Sequence, residues 1–80
     1  MKYKYCAVLK EAKDGIAVSF PDIFGAVTCG NDFDDAILMA KDLLKMMLTE
    51  ARAQCGEPVD KQKMENLFPE ENIVEIEVEI

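Results

Sequence analysis

The run Phe20-Pro21-Asp22-Ile23-Phe24-Gly25-Ala26-Val27-Thr28-Cys29-Gly30-Asn31-Asp32-Phe33-Asp34-Asp35-Ala36 holds the signals that decide the architecture. Pro21 fixes its own φ and lacks a ladder donor, and Gly25 permits a sharp reversal, so Pro21 to Gly25 is read as a turn. A short strand, Ala26 to Cys29, follows. Gly30 and Asn31 break it, and Asp32 stands where a helix N-cap belongs. Asp34 and Asp35 then sit in the first helical turn, where negative charge suits the helix dipole. The run therefore says strand, turn, strand, helix.

Towards the N-terminus, Lys2 to Lys10 alternates, with Tyr3, Tyr5, Ala7 and Leu9 on one face and Lys2, Lys4, Cys6, Val8 and Lys10 on the other. Period two is the mark of a strand. Lys13-Asp14-Gly15 supplies turn chemistry, and Ile16, Val18 and Phe20 resume the alternation, which predicts a hairpin. Towards the C-terminus, Phe33, Ala36, Ile37, Ala40, Leu44, Met47, Leu48 and Ala51 recur at helical spacing, with a stop expected at Cys55-Gly56. Glu57 to Glu71 carries two prolines and no clean period, and reads as a loop with at most one helical turn around Met64 to Leu67. Ile73 to Ile80 alternates again, with Val74, Ile76, Val78 and Ile80 opposite Glu75, Glu77 and Glu79. The expected class is α+β, ordered β-β-β-α-β: one mainly antiparallel sheet covered on one face by a long helix.

Eighty residues make one small domain, and half of them are hydrophobic, enough for a core. Sixteen acidic residues against nine basic ones leave a net charge of −7. That charge repels nucleic-acid phosphates and favours encounter with a basic partner, so direct nucleic-acid binding is not expected. Three cysteines, without CxxC spacing and without any histidine, suggest reduced and mostly buried thiols rather than a zinc site. No signal-peptide pattern or membrane-spanning run is visible, and a cytoplasmic location is expected.

The absence of histidine removes the usual acid–base group at neutral pH, and no cysteine sits where a thiolate would obviously be activated. Asp22, Asp32, Asp34 and Asp35 are the one plausible metal cluster, but aspartates gather at helix starts for capping alone, and capping is the favoured account. No calcium-loop or phosphate-loop pattern is present. The chain is expected not to be an enzyme and to need no cofactor. The glutamates of the last strand form an acidic ladder that suits either a basic partner or simply a solvated face, with the solvated face favoured.

The run Phe20 to Ala36 resembles the HicB antitoxin family, whose members carry a stretch of the form F-P-D-L-P-G-C-V-T-Q-G-D-T-L-E-E-A. The resemblance extends from the first strand through the helix and, more loosely, to the last strand. Phe24 stands where the family usually has proline, Ala26 where cysteine is frequent, and Asp32 where threonine usually caps the helix. The resemblance implies a single HicB-like domain over residues 1–80, with a partial ribonuclease-H-like fold. It also implies a role: binding and neutralising a small basic mRNA-cleaving HicA-like toxin by covering its RNA-binding and catalytic surface. Many HicB proteins continue into a C-terminal operator-binding domain; this sequence ends at Ile80, so operon autoregulation is not carried over.

Candidate partner contacts are Asp22, Ile23 and Phe24 in the turn together with Asp34 and Asp35 at the helix start, an apolar residue rimmed by carboxylates. The competing expectation for Phe24 is that it plugs the core beneath the turn. The exposed side of the sheet and a second helix face, Met39, Leu43 and Met46, are apolar surfaces expected to stay open in the monomer. That helix face, or pairing through an exposed strand, is the candidate for self-association into a dimer or tetramer. The alternative functional reading is a stand-alone oligomeric interaction domain without a toxin. A metal-dependent nuclease built on the aspartates is the third, and rests on fold analogy alone.

Overall fold

The computed structural model describes all 80 residues as an α+β fold with a four-stranded antiparallel sheet and two helices. Strands β1 (Lys2–Ala12) and β2 (Gly15–Ser19) form the hairpin, β3 (Val27–Gly30) pairs with β2, and β4 (Asn72–Glu79) pairs with the other side of β1. The spatial order is β3-β2-β1-β4, which leaves β3 and β4 as the two edges. Helix α1 (Phe33–Glu50) follows β3, and helix α2 (Lys61–Leu67) precedes β4.

The core follows from the pleat. Tyr5, Ala7 and Leu9 point to one face of β1 and join Val18, Phe20, Ile76 and Val78 beneath Ala36, Ala40, Leu44, Met47 and Leu48 of α1. Successive side chains point to opposite faces, so Cys6 and Val8 look the other way. There they meet Ile73 and Met64, with Val59 and Phe68 packed around them. Burying Met64 and its neighbours is what gives α2 a reason to exist. A seven-residue helix is marginal on its own in water and forms here because of tertiary packing.

The structure thus corrects three expectations. Residues 61–67 are a helix rather than loop, started by Asp60, whose carboxylate accepts from the Lys63 N–H at 2.8 Å. The sheet carries a helix on both faces and not on one. The α1 stop also moves: the helix ends at Glu50, and Arg52–Gln54 tighten into a single 3₁₀ turn instead of continuing to Cys55. Leaving the helix axis early lets Cys55 bridge to Ile23 in the turn between β2 and β3.

Two glycines are used for geometry. Gly25 has φ +79°, which closes the turn after Phe24. At Gly30 a Cβ would collide with the Ala36 backbone, so glycine there is what allows β3 to run directly under the first turn of α1.

Candidate partner-binding surface

The turn Phe20 to Ala26 is clamped from both sides. Within it, the Ile23 N–H donates to the Phe20 carbonyl at 3.0 Å and the Phe20 N–H to the Ala26 carbonyl at 3.0 Å. Across it lies the segment after α1. The Phe24 N–H donates to the Gln54 carbonyl at 2.9 Å, and the Gly56 N–H donates to the Asp22 carbonyl at 2.7 Å. The Asp22 carboxylate accepts from the Val59 N–H at 3.0 Å. From β1, the Tyr5 hydroxyl donates to the Gly56 carbonyl at 2.6 Å, and Arg52 donates to the Tyr3 hydroxyl at 2.8 Å while lying over its ring. Backbone polar groups are satisfied on both strands of this contact, which makes the turn a rigid platform.

Ile23 and Phe24 divide the work on that platform. Ile23 is 2% exposed and belongs to the main core, whereas Phe24 is 79% exposed. The expectation that Phe24 plugs the core is corrected: Ile23 fills that position, because the extended backbone that bridges Cys55 points adjacent side chains to opposite sides. Ile23 is for the same reason not available to a partner in this conformation.

Asp34 and Asp35 are not beside Phe24. They open α1, whereas Phe24 binds Gln54 just beyond its end. An 18-residue helix is about 27 Å long at 1.5 Å per residue, so one chain holds the aromatic and these carboxylates at opposite ends. The carboxylates at the helix start have local employment: Asp32 accepts from the Asp35 N–H and Asp35 from the Asn31 N–H, each at 2.8 Å. No group of three or more Asp, Glu or Cys side chains converges anywhere in the chain.

Burial raises the Tyr5 phenol above its ordinary range, with the nearby Cys55 and Glu57 adding to the effect, and burial likewise raises the Cys6 thiol, with Glu75 adding. The thiols are otherwise not uniformly hidden. Cys6 is buried and Cys55 half-buried, but Cys29 is exposed on the uncovered outer side of β3. On β4, Glu77 and Glu79 stand directly opposite Lys4 and Lys2 of β1, so the acidic ladder has basic neighbours within the fold. Met39 and Met46 are partly exposed on α1, and Leu43 packs partly against the core. No helix is long and apolar enough to cross a membrane.

In fold, the chain is similar to one chain of a solved complex described as "HicA3 and HicB3 toxin-antitoxin complex". The match has a TM-score of 0.68 at 24% identity and covers 98% of both chains. At that identity it establishes a shared fold, from end to end. No protein-family model matches the sequence. No curated protein matches it either.

The surface reading from sequence missed the strap 52–59 that holds the turn, which has no periodic signal. The outer sheet face, expected to be open, is open over only part of its width. Helix α2 covers only the β1–β4 half, which leaves a groove of about 480 Å³ whose lining includes Val8, Ala17, Ser19, Val27 and Phe68. The apolar pair Cys6 and Val8 among lysines was the available hint that something packs on the outer face of β1.

Proposed function

We propose that this chain is an antitoxin-type binding module of the HicB kind, which neutralises a small basic HicA-like mRNA-cleaving toxin by covering its RNA-binding and catalytic surface. The observation that supports this most is the end-to-end likeness of fold to a chain of a toxin–antitoxin complex, together with the HicB-like run Phe20 to Ala36. The antitoxin side of such a pair suits this chain. It has a net charge of −7 and no histidine, whereas an RNA-cleaving partner needs a basic face for its substrate.

Inhibition requires no chemistry from the inhibitor. Opposite charge raises the rate of encounter, and a buried apolar anchor slows release. Phe24 has the properties of such an anchor: an exposed aromatic side chain on a turn whose backbone is hydrogen-bonded in place before binding. Asp22 belongs to the same platform, and Glu57 lies near the Tyr5 hydroxyl that holds its strap.

A second reading, a stand-alone HicB-like oligomeric interaction domain, is favoured by the partly exposed Met39 and Met46 on α1. Co-expression separates the two. Tagged chain produced with the small basic proteins of its neighbouring reading frames should retain one of them stoichiometrically and relieve its toxicity. Recovery of the chain alone as a homo-oligomer would favour the stand-alone domain.

A further inference from the structure

The two edges of the sheet differ in kind. Edge β4 carries Glu75, Glu77 and Glu79, whereas edge β3, Val27-Thr28-Cys29-Gly30, carries no charge and no proline. Soluble proteins commonly guard an open edge with charge, proline or a bulge. The bonding phase decides what this edge offers. The Phe20 N–H donates to the Ala26 carbonyl, and the register continues through Ser19–Val27, Val18–Thr28 and Ala17–Cys29. Bonded and non-bonded pairs alternate in an antiparallel ladder, so Thr28 bonds to Val18, while the N–H and C=O groups of Val27 and Cys29 point away from β2. No backbone hydrogen bond of a turn, loop or cap involves either residue.

Charge is segregated across the sheet. From Asp14 to Ala40 the chain carries five aspartates and no lysine or arginine. Asp22 stands in the turn before β3, and Asp32, Asp34 and Asp35 follow the strand at the start of α1, so carboxylates lie beyond both of its ends. The lysines of the sheet, Lys2, Lys4 and Lys10, are on β1, with β2 between them and this edge.

We propose that β3 accepts, as a fifth strand of the sheet, an extended segment of a partner protein whose centre is uncharged and whose two ends carry lysine or arginine. In strand addition the main-chain bonds hold the segment and its side chains select it. Charge identifies the occupant. A second copy of this chain would set its own aspartates against these, whereas basic ends meet them at either end of β3. Length agrees: the four residues of β3 cover roughly 13 Å at about 3.3 Å per residue, so a segment with a short uncharged centre places its flanking cations beyond the strand.

The outer face sets which central positions are apolar. Residues opposite one another in a ladder share a face, so the positions facing Val27 and Cys29 lie on the outer side. There Val27 is 68% exposed and forms part of the groove wall together with Phe68. Exposed Phe24 stands at the Asp22 end of the same strand. Identifying the partner with the toxin rests on the antitoxin reading; the strand addition itself does not.

The test is a nuclear magnetic resonance titration of the isotope-labelled full chain with the end-blocked peptide KKVTVTVKK. The Val27 and Cys29 amides should shift saturably and gain protection from hydrogen exchange, while the Thr28 amide, already bonded to Val18, changes little. Two control peptides, EEVTVTVEE and KKVTVTVKK methylated on its valine nitrogens, should bind roughly ten-fold or more weakly. So should wild-type peptide to two chain variants shown to be folded by circular dichroism: Val27→Pro, which removes an outward N–H and spares the bonds to β2, and Asp34→Lys, which inverts a charge beyond the strand. Absence of saturable shifts at millimolar peptide overturns the proposal. So do shifts centred on β4 or on Met39 and Met46, or equal binding of the control peptides. Concentration-dependent protection of the Val27 and Cys29 amides in the chain alone would assign the edge to a second copy and overturns it as well. Peptide binding at β3 by a chain that inhibits no RNA cleavage would leave strand addition standing and count against the antitoxin reading alone. Inhibition of cleavage that Val27→Pro leaves intact would do the reverse.

Discussion

Replacing Ile23 and Phe24 by alanine, one at a time, should give opposite results although the residues are neighbours. Ile23 is 2% exposed within the main core, and removing a buried isoleucine side chain typically costs about 2–5 kcal/mol. For a domain of this size each kcal/mol shifts Tm by roughly 4–8 °C, so Ile23→Ala should melt at least about 10 °C lower. Phe24 keeps only about a fifth of its surface covered. An aromatic side chain buries roughly 150–250 Å² when fully enclosed, so the covered part is about 40 Å², or about 1 kcal/mol at 25 cal/mol per Å². Phe24→Ala should therefore shift the urea midpoint slightly, with an unchanged m-value. As an anchor its loss should instead cost about 2 kcal/mol or more of partner affinity, roughly a thirty-fold rise in Kd. Equal destabilisation by the two variants, or partner binding indifferent to Phe24→Ala, would refute the division of labour between core and contact.

Other expectations follow from particular side chains. Met64→Ala should cost about 2–5 kcal/mol and expose amides 61–67 to hydrogen exchange before those of α1, because Met64 is the one buried residue of α2. Asp32→Ala removes the α1 cap and should cost about 0.5–2 kcal/mol, a change readable in thermal melts. The raised Tyr5 and Cys6 groups set the alkaline behaviour. A pKa higher in the folded than in the unfolded chain contributes stability that is complete below the unfolded value, here 9.0 for the thiol and 10.0 for the phenol, and is lost as pH rises through the folded one. Urea midpoints should thus be flat up to the thiol's ordinary range and fall above it, with a shallower fall in Cys6→Ala. Thiol alkylation at mildly alkaline pH should modify exposed Cys29 well before buried Cys6.

The α+β class was legible where periodicity is clean. Lys2 to Lys10 and Ile73 to Ile80 alternate because each has a face against α1, and period two survives even though the middle of β1 is buried on both sides. Helix α2 was hidden for the converse reason: a single buried methionine among Lys61, Gln62, Lys63, Glu65 and Asn66 makes no stripe. Its trace was Asp60 in a capping position and the apolar Cys6 and Val8 left over on the lysine face of β1. Ile23 was placed among the contacts, and Phe24 weighed as a core plug, because side-chain direction inside an irregular turn depends on what the turn pairs with. Ile23 is turned inward by its bridge to Cys55, a residue 32 positions away. The candidate contact set was split for a similar reason. Asp22 to Phe24 and Asp34 to Asp35 are close in sequence, yet the first group precedes the extended strand β3 and the second follows it, so they lie at opposite ends of that strand.

The central claim is the proposed inhibition by binding, and it is tested most directly by titrating the purified chain into RNA cleavage by any small basic protein found encoded beside it. The account predicts that cleavage stops at a stoichiometric ratio and that Phe24→Ala, folded by circular dichroism, shifts the titration to higher concentration. Undiminished cleavage in the presence of excess folded chain would contradict it.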